Sequence, residues 1–148
     1  MPLWDWALAV YDQADVAPAA LALQDHHGQN VSFLLWSVWA GTDDPGLLFR
    51  AADVARRWND MVLVPVRNVR TDLKSCFDGV DEALKDQLRQ DIKAAELAAE
   101  KVLLDALERL AGLKRGVVPA GSALIAAAKA WGPSPPEAAL ARLARALA

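Results

Sequence analysis

Ten consecutive residues, Val31 to Ala40, read VSFLLWSVWA without a single charge, and Asn30 and Gly41 bracket them. Asparagine is a favoured helix N-cap because its side-chain oxygen accepts an orphan amide of the first turn. Glycine ends helices because it enters the left-handed conformation without a Cβ clash. The segment is therefore predicted to be a helix that is apolar on every side, and such a helix belongs at the centre of a larger structure. A second uncharged apolar run, Val117 to Ala128, falls well short of the roughly 20 residues that cross a bilayer, and Pro119 and Gly121 interrupt it. No membrane span is expected.

The segments around this centre carry the 3.6-residue apolar period of helices lying on a core. Trp4, Leu8 and Tyr11, widened by Leu3, Ala7 and Val10, predict an amphipathic helix from Leu3 to about Ala14. A second helix holds Pro18 in its first turn and stops at Gly28. Asp43-Asp44-Pro45 starts a fourth, and Asn59 or Asp60 is expected to cap a fifth in which Val62, Val66, Val69, Leu73 and Phe77 face inward. Asp81 opens a helix that runs to Gly112; Leu84, Leu88, Ile92, Ala95, Ala99, Val102, Ala106 and Leu110 are its expected buried line. At about 30 residues it would extend roughly 45 Å. After the basic link Leu113 to Gly116 come an alanine-rich helix near Ala120 to Trp131 and a final one. Ser134-Pro135-Pro136-Glu137 reads as the capping box of that last helix, with Leu140, Leu143 and Leu147 as its narrow stripe. The expected fold class is all-α: a single-domain multi-helix bundle of about seven to eight helices around one long central helix. Residues 1–112 would form the body. Residues 113–148 would form a basic extension on the same domain, with the final helix its most weakly held element.

Charge is distributed in blocks. Residues 1–44 hold six acids and no Lys or Arg, 50–74 hold six bases against three acids, 75–113 nine acids against five bases, and 114–148 five bases against one acid. Alternating blocks of this kind pair with one another inside a fold, so nucleic acid is not an expected partner. The six tryptophans fall on apolar faces and are read as packing. The opening MPLWDW lacks the basic and apolar regions of a secretory signal, and Cys76 is the only cysteine, which together suggest the cytoplasm.

Several stretches together resemble a family of short, uncharacterised proteobacterial helical proteins known as a domain of unknown function. They are Leu3-Trp4-Asp5-Trp6-Ala7-Leu8 with Tyr11, then Leu21-Ala22-Leu23-Gln24-Asp25-His26-His27-Gly28, then Val31, Leu34, Leu35 and Trp39. Trp58 with Pro65, Arg67, Arg70 and Lys74 follows, and then Glu96-Leu97 with Glu100. The resemblance spans about residues 3–112 and implies a helical fold without implying an activity.

One polar constellation stands out. Arg67, Arg70 and Lys74 follow at i, i+3 and i+7, which places three cations on one helix face, and Glu96 and Glu100 sit at i and i+4 on the long helix. If those helices pack antiparallel, the two faces meet, with Tyr11, Gln24 and Asp25 contributed by the first hairpin. A guanidinium fork pairs with a carboxylate or phosphate through two hydrogen bonds, so these eight residues are the candidate site for a small anionic ligand. The plainer alternative is a structural salt-bridge network. The adjacent His26 and His27 point to different sides of a helix and cannot chelate one metal, so neither a metal nor a cofactor is expected. Neither Cys76 nor Ser122 lies in a nucleophile motif, and no catalytic residue is assigned. The first expectation is accordingly a non-catalytic interaction or regulatory module that docks a partner protein or a second copy through its C-terminal helix. A binder or enzyme built on the Arg/Glu group is the alternative.

Overall fold

The computed structural model describes residues 1–113 and 115–148; Lys114, part of the basic link, lies outside the described residues. Among these there are eight α-helices, one π-helical turn and no strand. The helices are α1 (Leu3–Tyr11), α2 (Val16–His27), α3 (Val31–Ala40), α4 (Pro45–Trp58), α5 (Val64–Asp72), α6 (Glu82–Ala111), α7 (Ala120–Trp131) and α8 (Glu137–Ala146). The uncharged helix α3 is indeed central, packed on by α1, α2, α4, α6 and α7. Its Phe33, Leu34, Trp36 and Ser37 have no exposed surface. The expected caps form: the Asn30, Asp44 and Asp81 side chains accept from the amides of Phe33, Leu47 and Leu84 at 2.9, 2.8 and 2.9 Å.

Four expectations fail. First, neither Asn59 nor Asp60 caps a new helix. The backbone is helical at Asn59, and α4 continues into α5 through the π turn Asn59–Leu63. Proline at 65 has no N–H to give the carbonyl four residues back, so the helix widens just upstream of it instead of breaking. Second, α5 ends at Asp72, which leaves Phe77 outside the helix and exposed; within α5 Val69 is exposed too, and no residue of the helix is fully buried. Third, α6 buries Lys85, Ala99, Leu103, Leu104 and Leu107, while Leu84, Leu88 and Val102 face outward. Of the expected line Ala99 is buried, and from there on the contacts made with the body select the neighbouring line through Leu103, Leu104 and Leu107. Lys85 is accommodated because its ammonium donates to the Ser75 carbonyl and pairs with Glu82 at 3.1 Å. Fourth, Ser134 caps nothing: α8 starts after Pro136 with no side-chain cap.

The C-terminal helices are not peripheral. Ala123, Leu124, Ala127 and Ala128 of α7 are fully buried, and small residues let that helix approach α3 and α4 closely. Leu140 and Leu143 of α8 are 1% and 0% exposed, against α2 and α7, and both belong, with Leu124, Ala127 and Ala128, to the same core cluster as Leu3, Trp36 and Leu107. The leucine stripe expected to dock a partner is thus used within the chain. Trp131 ties the end of α7 down: its indole N–H donates to the Gly28 carbonyl at 2.8 Å, and the Arg56 guanidinium lies 4.4 Å over its ring.

The link into α7 crosses the end of α3. Gly116 N–H donates to the Ala40 carbonyl at 2.8 Å and Val118 N–H to the Gly41 carbonyl at 3.2 Å. Gly41 has a φ of +60°, and a Cβ there would overlap the Gly116 carbonyl. Gly28 has a similar φ of +61° but open space around it. Gly41→Ala should therefore cost about 2–4 kcal/mol, the left-handed penalty plus a backbone shift, and Gly28→Ala only about 1–2 kcal/mol. Urea denaturation of the two variants checks this, and equal losses would mean that the crossing is not tight.

Candidate functional site

Helix α1 has two working faces. Leu3, Ala7 and Val10 go to the core, whereas Trp4, Leu8 and Tyr11 turn toward a cavity of about 280 Å³ enclosed with α2, the start of α3, the π turn with α5, and α6. Its apolar walls come chiefly from Trp4, Leu21, Leu35, Leu97 and Leu104. Its polar wall includes Tyr11, Gln24, Arg67, Arg70, Glu96 and Glu100. A size near 300 Å³, mostly apolar lining and a few convergent polar groups are the usual character of small-molecule sites.

The π turn contributes to this arrangement. One extra residue in a helical turn rotates everything after it by about 100°, and here it separates a face of α4 that packs on the core from a face of α5 that carries Arg67 and Arg70 to the cavity. Arg67 Nε donates to one oxygen of Glu96 at 3.2 Å and Arg70 Nε to the other at 2.5 Å, so a single carboxylate serves two guanidiniums. The three side chains are 21, 23 and 13% exposed. Each guanidinium carries terminal amino groups beyond its Nε, and neither arginine pairs with a second carboxylate among the described residues.

Glu100, one turn further along α6, has no hydrogen-bond or ion-pair partner in the described chain. Burial and then the neighbouring Glu96 carboxylate push its pKa up, with Arg67 and Arg70 opposing. Burial, followed by the nearby Glu100, likewise raises the Tyr11 phenol. A carboxyl with a raised folded-state pKa holds its proton more tightly folded than unfolded. It therefore weakens the fold as pH rises through its ordinary value of 4.5, and the loss is complete above the folded pKa. Glu100→Gln should accordingly melt above the parent protein at pH 8, with the gap closing as pH falls below the ordinary value. A gap that stays constant with pH would contradict this electrostatic account.

Six of the eight residues singled out in the sequence thus line one cavity. Asp25 is exposed on α2, where it accepts from the Gln24 amide at 3.4 Å, and it does not line the cavity. Lys74 is exposed beyond the end of α5, because the helix that would have kept it in line with Arg67 stops at Asp72. Sequence reasoning missed the amides. Gln29, Asn30 and Asn59 also line the cavity, and Asn30 Nδ2 donates to Asn59 Oδ1 at 3.3 Å. The Gln29 Oε1 atom is buried without a donor. A run of Gln, Asn and Ser at the start of α3 was the available signal. His26 and His27 are both exposed, and no group of three or more His, Cys, Asp or Glu able to hold a metal occurs among the described residues. No helix is long and apolar enough to cross a membrane among the described residues.

Fold and site define an all-α bundle with a ligand-sized, solvent-reachable pocket walled by an Arg–Glu–Arg bridge. A family model described as "Protein of unknown function (DUF2390)" matches residues 2–107, and the chain belongs to that family. No curated protein and no solved structure matches. Every cavity-lining residue falls inside the matched stretch, whereas α7 and α8 fall outside it.

Proposed function

We propose that this chain binds a small organic molecule with an apolar body and an anionic head in the cavity between α1, α2, α3, α5 and α6. The observation that carries the reading is that Arg67 and Arg70 border this half-open pocket, where each guanidinium has donors beyond the Nε that Glu96 takes. The Glu96 pairing has a structural effect as well, holding the two arginines in place for a ligand. The buried Gln29 oxygen supplies an acceptor for a hydroxyl or amide on the same molecule. The lone, exposed Cys76 suits a reducing cytoplasm as the place of action. The role is that of a ligand-responsive regulatory or carrier module, and we assign it no reaction.

A thermal-shift screen of carboxylated and phosphorylated metabolites tests this. A true ligand at 100 times its Kd adds about 2.7 kcal/mol to stability, and Arg70→Ala should abolish the shift. The proposal fails if no compound shifts the parent protein, or if the hits shift Arg70→Ala equally.

A further inference from the structure

Resting on that reading, we infer that the head group is a single carboxylate, received by protonated Glu100 as hydrogen-bond donor and by Arg67 and Arg70 as cations, so that binding takes up one proton. The charges around Glu100 carry the inference. From α5 come two guanidiniums, and from α6 comes the Glu96 carboxylate that lies between them. The Lys101 ammonium of α6 is directed to the Trp4 ring, 5.4 Å from its centre. From α1 comes the Tyr11 phenol, uncharged at neutral pH, and from α2, the link before α3 and the π turn come the amides of Gln24, Gln29, Asn30 and Asn59. Asp25 and Asp60 are exposed outside the lining.

Two positive charges against Glu96 leave one positive charge, which the unpartnered Glu100 can neutralise only by being ionised in a half-buried site. An incoming monoanion takes over that compensation. Glu100 then gains a proton and spans to the ligand as a carboxyl–carboxylate hydrogen bond, among the strongest neutral-pH pairs available. A dianion such as a phosphate monoester would leave one excess negative charge even with Glu100 neutral. An amine would meet the guanidiniums. Glu100 is thus the residue that sets head-group specificity, while the arginines set affinity.

Isothermal titration calorimetry with octanoate, octyl phosphate, octylamine and octanol, run in two buffers of different ionisation enthalpy, reads both parts. Octanoate should bind tightest and take up about one proton near pH 7.5. Its affinity should fall about tenfold per pH unit above the Glu100 titration. In Glu100→Gln, octanoate should still bind, since the amide also donates, but with no proton uptake and a flat pH profile. Octanoate binding without uptake, uptake that persists in Glu100→Gln, or tighter binding of octyl phosphate or octylamine would overturn the inference and leave the cavity reading intact. If none of the four probes binds, the cavity reading fails and the inference with it. Should Glu100→Gln not fold, the two-buffer proton count on the parent protein decides alone.

Discussion

Replacing Leu140 and Leu143 together with alanine is expected to cost at least about 4 kcal/mol of folding stability, since a fully buried leucine loses about 2–5 kcal/mol on truncation. Both side chains are sealed between α8, α2 and α7. Neighbouring losses do not add perfectly, but against a total of about 5–15 kcal/mol even the lower figure leaves little margin. The exposed Arg142, between them in sequence, should cost less than about 0.5 kcal/mol when changed to alanine. Urea denaturation with far-UV circular dichroism compares the two. A double variant as stable as Arg142→Ala would show that α8 is a detachable appendage after all. The same result would restore the case for the last helix as a docking element. The family match ends at residue 107, so α7 and α8 lie outside it although the core includes them.

Glu96→Ala should be the most damaging change among the polar groups of the cavity, costing about 2–4 kcal/mol. Breaking a buried ion pair by deleting one partner costs about 3–5 kcal/mol, and the partial exposure of these groups lowers that range. Deletion leaves two guanidiniums facing each other across a half-buried space with no acceptor for either Nε. It also removes the carboxylate whose repulsion helps to raise the Glu100 pKa, so Glu100 should titrate closer to its ordinary range and become the new counter-charge. A chemical consequence follows for ligands: with one more uncompensated positive charge, the preference should move from octanoate toward octyl phosphate. Stability by urea titration and the ratio of the two affinities are the measurements. An unchanged stability would mean that the bridge is solvated, and an unchanged affinity ratio would detach it from the ligand site.

Much of this molecule was legible in its residues because the relevant physics is local. The caps at Asn30, Asp44 and Asp81 depend on one side chain and an amide three residues on, and the left-handed ends at Gly28 and Gly41 depend on a missing Cβ. The absence of charge from Val31 to Ala40 was enough to put that helix in the centre. Arg67 with Arg70, and Glu96 with Glu100, could each be placed on one helix face in advance because i, i+3 and i, i+4 spacings fix which side chains share a face.

Tertiary structure decided what local rules leave degenerate. Two apolar lines run along α6, and only the helices packed against it select Leu103 and Leu107 over Leu84 and Leu88. The widening before Pro65 keeps α4 and α5 continuous while turning the arginines, a rotation no propensity encodes. Leu140 and Leu143 make the same narrow stripe whether they meet a partner or α2, and only the path of the chain across Gly41 brings them home. The uncharged run from Val31 to Ala40 determined by itself that something must surround it. Which helices do so, and that they leave a cavity beside its first turn, depends on close packing among residues far apart in sequence.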